Sequence, residues 1–178
     1  SERLLEVYID NTLIKQYEMS IGLVPKGDKE IQGDYKTPVG IFYVAKKVPQ
    51  SQFHKALLLN YPTQKHADQG LDKGIITSSQ HSQISQAIKK CKIVPTTPLG
   101  SLIEIHGNDK PYSNDWTHGC IAVTDSAMDE IYDFAQEGCN NGDFSIEDDR
   151  RYATQVKIEA SRHFLEERSD ISRFFLEE

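Results

Sequence analysis

A mainly β fold with flanking helices is the class that this sequence predicts, and three observations carry the prediction. Short apolar runs with period-two alternation recur along the chain, two amphipathic stretches show helical spacing, and turn residues separate them. At 178 residues the chain suits one domain, and it contains no internal repeat or low-complexity tract.

The elements follow in order. Leu4 to Ile9 and Leu13 to Ile21 alternate on either side of Asp10-Asn11, a turn dipeptide, and so predict a β-hairpin. Val39 to Val44 and Ala56 to Asn60 predict two further strands, with residues 61 to 74 read as a polar loop. Ser82 to Cys91 places Ile84, Ala87 and Ile88 at spacings of three and four, a helix with one apolar face. The runs Leu102 to Ile105 and Ile121 to Val123 predict two more strands. Ser126 to Glu137 repeats the helical pattern through Met128, Ile131, Tyr132 and Ala135, with Asp125 and Ser126 as capping side chains and Asp129 in the first turn. The segment from Gly138 to Tyr152 is polar and breaks structure, Gln155 to Glu159 reads as a final edge strand, and Phe164, Leu165, Ile171, Phe174 and Phe175 share a face of a terminal helix.

Net charge is −7 with scattered Lys and Arg, which excludes the clustered basic stripe of a nucleic-acid binder. No apolar stretch of about 18 residues and no signal-like opening is present in the chain. The three cysteines, at 91, 120 and 139, leave an odd one whichever pair forms. Cys91 and Cys139 either bridge in an oxidising compartment, sparing Cys120, or stay as two reduced thiols.

Chemistry concentrates at two strand ends. Thr117-His118-Gly119-Cys120 places a thiol after a histidine and a glycine at the mouth of an apolar run, and Ile105-His106-Gly107 brings a second histidine to the end of another. A cysteine placed so is positioned as a nucleophile, with the glycine letting a ligand approach the backbone. A free thiol with pKa ~8.5 is mostly protonated at neutral pH, so it needs a base or cation beside it. His118 is only two residues from Cys120, whereas His106 comes from a separate strand and can face the sulfur without local strain. Donors for the oxyanion of an attacked carbonyl are the backbone N–H groups of Cys120 and Gly119, with His118 a third candidate.

These residues resemble the L,D-transpeptidase catalytic domain, the YkuD domain, whose pattern is a His, a loop and then Ser/Thr-His-Gly-Cys. Thr37-Pro38-Val39-Gly40-Ile41-Phe42, Thr97-Pro98-Leu99-Gly100 and Asn114-Asp115-Trp116 are similar to further segments of that family, and the likeness covers about residues 4 to 137. The resemblance implies a mixed β-sheet sandwich with helices; residues 1–160 are expected to form the catalytic domain, and the helix of residues 161–178, read from its apolar face, is expected to pack on it. It implies Cys120 as nucleophile and His106 as base, with the Gly107 carbonyl orienting the imidazole and Gly119, His118 and Thr117 lining the site. Trp116, Tyr61, His54 and Asp115 are candidates for contacts with a peptide stem. It further implies peptidoglycan stem peptides as partners, a lipoprotein lysine as one possible acceptor, and a periplasmic or cell-envelope location behind a removed signal or anchor. No cofactor is implied. No metal site is expected, because paired ligands such as Cys-x-x-Cys are missing.

Two features depart from the family pattern. The loop between His106 and Thr117 has ten residues, a short spacing, and position 122 is Ala where many transpeptidases carry Asn or Arg. Gly-Cys-x-Ala resembles the branch that includes hydrolases detaching lipoprotein from peptidoglycan. The expected activity is therefore transpeptidation through a thioester, with a hydrolase on the same scaffold (an L,D-carboxypeptidase or amidase) as the alternative and a non-catalytic peptidoglycan-binding module as a third reading.

Overall fold

A computed structural model describes residues 3–9, 12–109, 114–138 and 154–159. Its elements are β1 (Leu4–Ile9), β2 (Thr12–Glu18), β3 (Gly40–Ser51), β4 (His54–Leu59), α1 (Gln64–Asp72), α2 (Ser78–Lys89), β5 (Glu104–Gly107), β6 (Ile121–Val123), α3 (Asp125–Phe134) and β7 (Gln155–Glu159). The seven strands form one sheet in the order β2-β1-β7-β3-β4-β5-β6. Every pairing is antiparallel except β5 with β6, which makes the sheet mixed.

β3 joins the two halves. Gly40 to Tyr43 pair with β7, while Val44 to Ser51 pair with β4 across two register shifts. After β2 the chain runs on to lie against the far end of the sheet, where Ser20 and Ala122 exchange backbone hydrogen bonds of 2.9 Å in both directions. The two ends are thereby brought together over a shared core. Leu5, Val7, Val156 and Ile158 from one half meet Leu57, Ile105, Ile121 and Val123 from the other, with Met128 and Ile131 of α3 in the same cluster. A second cluster of Ala67, Ile76, Ile84, Val94 and Leu99 packs α1 on α2.

The structure changes four local expectations. Residues 64–72 are helix, not loop: Thr63 caps them in a box whose reciprocal side chain is His66, and the buried face consists of His66, Ala67 and Gly70. That face is small because Leu99 lies so close that a Cβ on Gly70 would stand 2.7 Å from its Cδ2. The cap of α3 is Thr124, which accepts from the Ala127 amide, while Asp125 occupies the first turn. α2 begins at Ser78, four residues ahead of the expected start, because Thr77 and Gln80 form a capping box. β7 is a central strand, paired with β1 on one side and β3 on the other, so Gln155 to Glu159 is not an edge. The expected terminal helix, residues 161–178, lies outside the described residues, as do Asp10 and Asn11.

Candidate active site

The parallel pairing of β5 with β6 sets Ile105 opposite Ile121 and His106 opposite Ala122. Side chains alternate faces along a strand, so Ile105, Ile121 and Val123 turn into the core while His106 and Ala122 share the other face. Cys120 stands one step ahead of β6, and its sulfur lies against the start of β5. Its Sγ is 3.8 Å from the Leu102 carbonyl oxygen, and the Glu104 N–H is directed at the sulfur. The thiol bonds Leu102 and not His106. Cys120 is a half-buried free thiol, whereas Cys91 is disulfide-bonded, which replaces the reduced alternative for that residue.

His106 is held on three sides. Its Nδ1 lies 3.0 Å from the Gly107 carbonyl oxygen, its ring stacks on Phe53 at 4.6 Å between centroids, and Trp116 meets it edge-on at 5.9 Å. A carbonyl only accepts, so Nδ1 carries the proton and Nε2 keeps its lone pair. Burial lowers the His106 pKa, with the Gly107 bond opposing, so the imidazole is neutral at neutral pH. Gly107 has no room for a side chain, since a Cβ there would stand 2.4 Å from Asp125 Oδ1 and 3.1 Å from the His54 Cβ.

Thr117 builds the backbone around the thiol. Its buried hydroxyl donates to the Cys120 carbonyl at 2.7 Å and accepts from the Gly119 amide at 3.1 Å. Its own backbone is tied to the chain after β2, through Thr117 N–H to Ile21 and Leu23 N–H to Thr117. Gly119 takes φ +130°, and a Cβ on it would come within 2.8 Å of the Lys36 carbonyl oxygen. Thr37, from the Thr-Pro segment, accepts from the Gly22 amide at 2.9 Å and reaches the Cys120 carbonyl at 3.5 Å. That contact explains why a motif some 80 residues upstream of the cysteine belongs to the same site.

Electrostatics set the resting state. Burial pushes the Cys120 thiol up, the Glu104 carboxylate adds to the rise, and the Glu104 N–H and the Lys29 ammonium oppose it. Glu104 is itself raised by burial. Thiol and imidazole therefore rest in their neutral forms, an arrangement suited to proton transfer during attack and not to a standing ion pair.

The remaining candidates separate clearly. Trp116 lies beside His106, and His118 is exposed with its ring meeting Tyr35 edge-on at 5.0 Å. Tyr61 does not line a groove: it is 2 % exposed in the core and its hydroxyl donates to the Leu99 carbonyl at 3.0 Å. Asp115 is committed to the fold, pairing with Arg3 at 2.5 Å and accepting from the Ile21 amide. His54 is bound through Nε2 to Asp129 of α3 at 2.7 Å. Gly119 is no free oxyanion donor either, because its amide is spent on Thr117.

Several residues at the site carry no signal in the sequence. Phe53 is one such residue, and its ring stacks on His106. Tyr35 and Leu102 hold φ of +56° and +58°, strained for non-glycine residues, and both lie beside the cysteine segment. Such backbone strain leaves no trace in residue type.

Residues 1–158 match the family model YkuD, the L,D-transpeptidase catalytic domain. No curated protein matches the chain. Among solved structures, Bd1075 of Bdellovibrio bacteriovorus is similar at 19 % identity with a TM-score of 0.47, over 92 % of this chain and 47 % of that one. The chain thus spans just under half the length of that protein. With the motif, the mixed sheet and the family match over most of its length in agreement, the chain belongs to the L,D-transpeptidase catalytic domain (YkuD) family.

Proposed function

We propose that this protein is a cysteine-dependent L,D-transpeptidase of the bacterial cell envelope, acting on tetrapeptide stems of peptidoglycan through a thioester on Cys120. The observation that supports the reading is that the parallel pairing of β5 with β6 brings a free, half-buried thiol and a neutral histidine to neighbouring strand ends, the histidine's Nδ1 anchored on Gly107. In the first half-reaction, His106 Nε2 takes the Cys120 proton as the sulfur attacks the carbonyl carbon of the third stem residue. A C–S bond forms and the carbonyl oxygen becomes an oxyanion. The Cys120 amide, with that of His118, is the donor for this charge. Collapse breaks the C–N bond to the terminal D-amino acid, whose nitrogen takes the proton back from His106. The thioester is then attacked by the side-chain amine of another stem or of a lipoprotein lysine, which loses its proton to His106 as the C–N bond forms and the C–S bond breaks.

Hydrolysis is the second reading, and Ala122 favours it. That side chain is 2 % exposed and apolar, so position 122 supplies no polar group to organise an acceptor amine. An acceptor must be positioned, whereas water need not be. Incubating the protein with purified muropeptides and weighing products tests both. Cross-linked dimers support transpeptidation and free tripeptide stems support hydrolysis. A thioester mass on the Cys120 peptide is expected in either case and should vanish in Cys120→Ala. Turnover by that variant would overturn the reading.

A further inference from the structure

Lys29 sits in a place that a structural ion pair alone does not explain. Its side chain is 4 % exposed, yet it carries an ammonium on a loop. Nζ donates to Asp34 Oδ1 at 2.7 Å and to the Ile31 carbonyl at 3.1 Å. Asp34 is pinned in turn by the amides of Glu30, Ile31 and Lys36, so the ammonium is held by a rigid loop and not by a mobile partner. An ammonium has three donors, and its two partners here account for two of them. Nζ stands 3.6 Å from the point that a Cβ on Gly119 would occupy. Asp34, the one carboxylate bonded to Lys29, already shares its charge with three backbone donors besides Lys29.

We propose that Lys29 is a positioning residue for Cys120, its buried ammonium, set against Gly119 in the cysteine segment, favouring negative charge as the sulfur reacts. The inference rests on the reading of Cys120 as the nucleophile. The charge is useful because the opposing influences are strong: Glu104 faces the sulfur from β5 with a carboxylate, and burial disfavours the thiolate. His106 is neutral, and His118 turns its ring to Tyr35. Burial, the Glu104 N–H and the Glu104 carboxylate act on the Cys120 thiol more strongly, and the Lys29 ammonium acts on it in the lowering direction. Burying an ammonium is costly unless it is compensated, and one carboxylate plus a developing anion compensates it better than the carboxylate alone.

The test reads the thiol directly, without substrate. Cys120 alkylation by iodoacetamide is followed against pH by mass spectrometry of its peptide in wild type, Lys29→Met, Lys29→Gln and Lys29→Arg. Loss of a nearby cation should raise the alkylation midpoint of the Met and Gln variants above that of the wild type. Arg, which keeps the charge, should stay near wild type. Gln retains a donor for Ile31, so it reports on charge even where Met disturbs the fold. An unchanged midpoint in Lys29→Gln overturns the proposal, and so does a shift in Lys29→Arg equal to that in Gln, which would mark a purely structural role. Muropeptide turnover separates the two readings. Turnover with an immobile midpoint removes Lys29 alone, whereas a moving midpoint without turnover removes the substrate reading and leaves the effect of Lys29 on the thiol.

Discussion

Replacing Thr117 by Val keeps the shape of the side chain and deletes its hydroxyl. Two hydrogen bonds go with it, a partly buried one to the Cys120 carbonyl at 2.7 Å and a buried one from the Gly119 amide at 3.1 Å. Thr117 is 3 % exposed, so water cannot take the place of the oxygen. A buried donor or acceptor left without a partner costs about 1–3 kcal/mol, which gives an upper range of about 2–6 kcal/mol for the pair. The Cys120 carbonyl has a second donor in reach, the Thr37 hydroxyl at 3.5 Å, which can close in and recover part of the loss. The Gly119 amide loses its acceptor together with the hydroxyl. The expected destabilisation is therefore about 2–3 kcal/mol, near the lower end of that range. Urea unfolding followed by far-UV circular dichroism measures the global loss. Fluorescence of Trp116, the single tryptophan and a neighbour of both Thr117 and His106, reports on the site itself. Thr117→Ser should restore most of the stability because the two bonds need only the oxygen. A loss below about 0.5 kcal/mol, or equal losses for Val and Ser, would show that the hydroxyl does not hold the cysteine segment.

His106→Ala should depress Cys120 acylation by about a hundredfold or more, the scale of a lost general base. His118→Ala should cost much less because that ring is exposed against Tyr35, and stopped-flow acylation rates showing the reverse order would reassign the base. His106 and Glu104 contribute limbs of opposite sign to the pH dependence of stability. His106 has its pKa lowered by burial, so as pH falls below its ordinary 6.5 the unfolded chain takes up a proton that the fold refuses, and stability drops until the pH is below the folded value. Glu104 has its pKa raised by burial, so as pH climbs above its ordinary 4.5 the unfolded chain releases its proton first, and stability drops until the pH is above the folded value. Urea midpoints across this range should lose the His limb in His106→Gln and the Glu limb in Glu104→Gln, and unchanged profiles would refute the assignment.

What could be read from the chain was whatever depends on near neighbours. The hairpin of β1 and β2, the apolar stripe of α3 and the motif from Thr117 to Cys120 are short-range patterns, because side-chain period and turn chemistry are set by the next few residues. The family likeness, and with it a histidine and a cysteine at the ends of two separate strands, was legible for the same reason, whereas the pairing of those strands was not. The helix α1 was missed because its buried face is histidine, alanine and glycine, small and polar types that carry no hydrophobic stripe, and its cap closes with His66 where a Glu or Gln would signal it. Position 122 was legible as an Ala but not as a buried one bonded on both sides to Ser20, a contact between opposite ends of the sheet.

Tertiary structure decided everything that rests on long-range contact. Whether a strand with alternating burial lies at an edge or in the middle depends on which partners reach its two sides, and β7 took the middle. Tyr61 and Asp115 have the chemistry of ligand contacts, and folding spent both on Leu99 and Arg3. Lys29 reads as one of 20 scattered basic residues until the chain closes and sets it beside Gly119, 90 residues away. Residue type limits what a side chain can do, but its neighbours are chosen by packing that buries the core, and the field at a reacting atom is the sum over those neighbours. The sequence by itself therefore marked the thiol and the imidazole proposed to react, and only the folded chain determined what surrounds them.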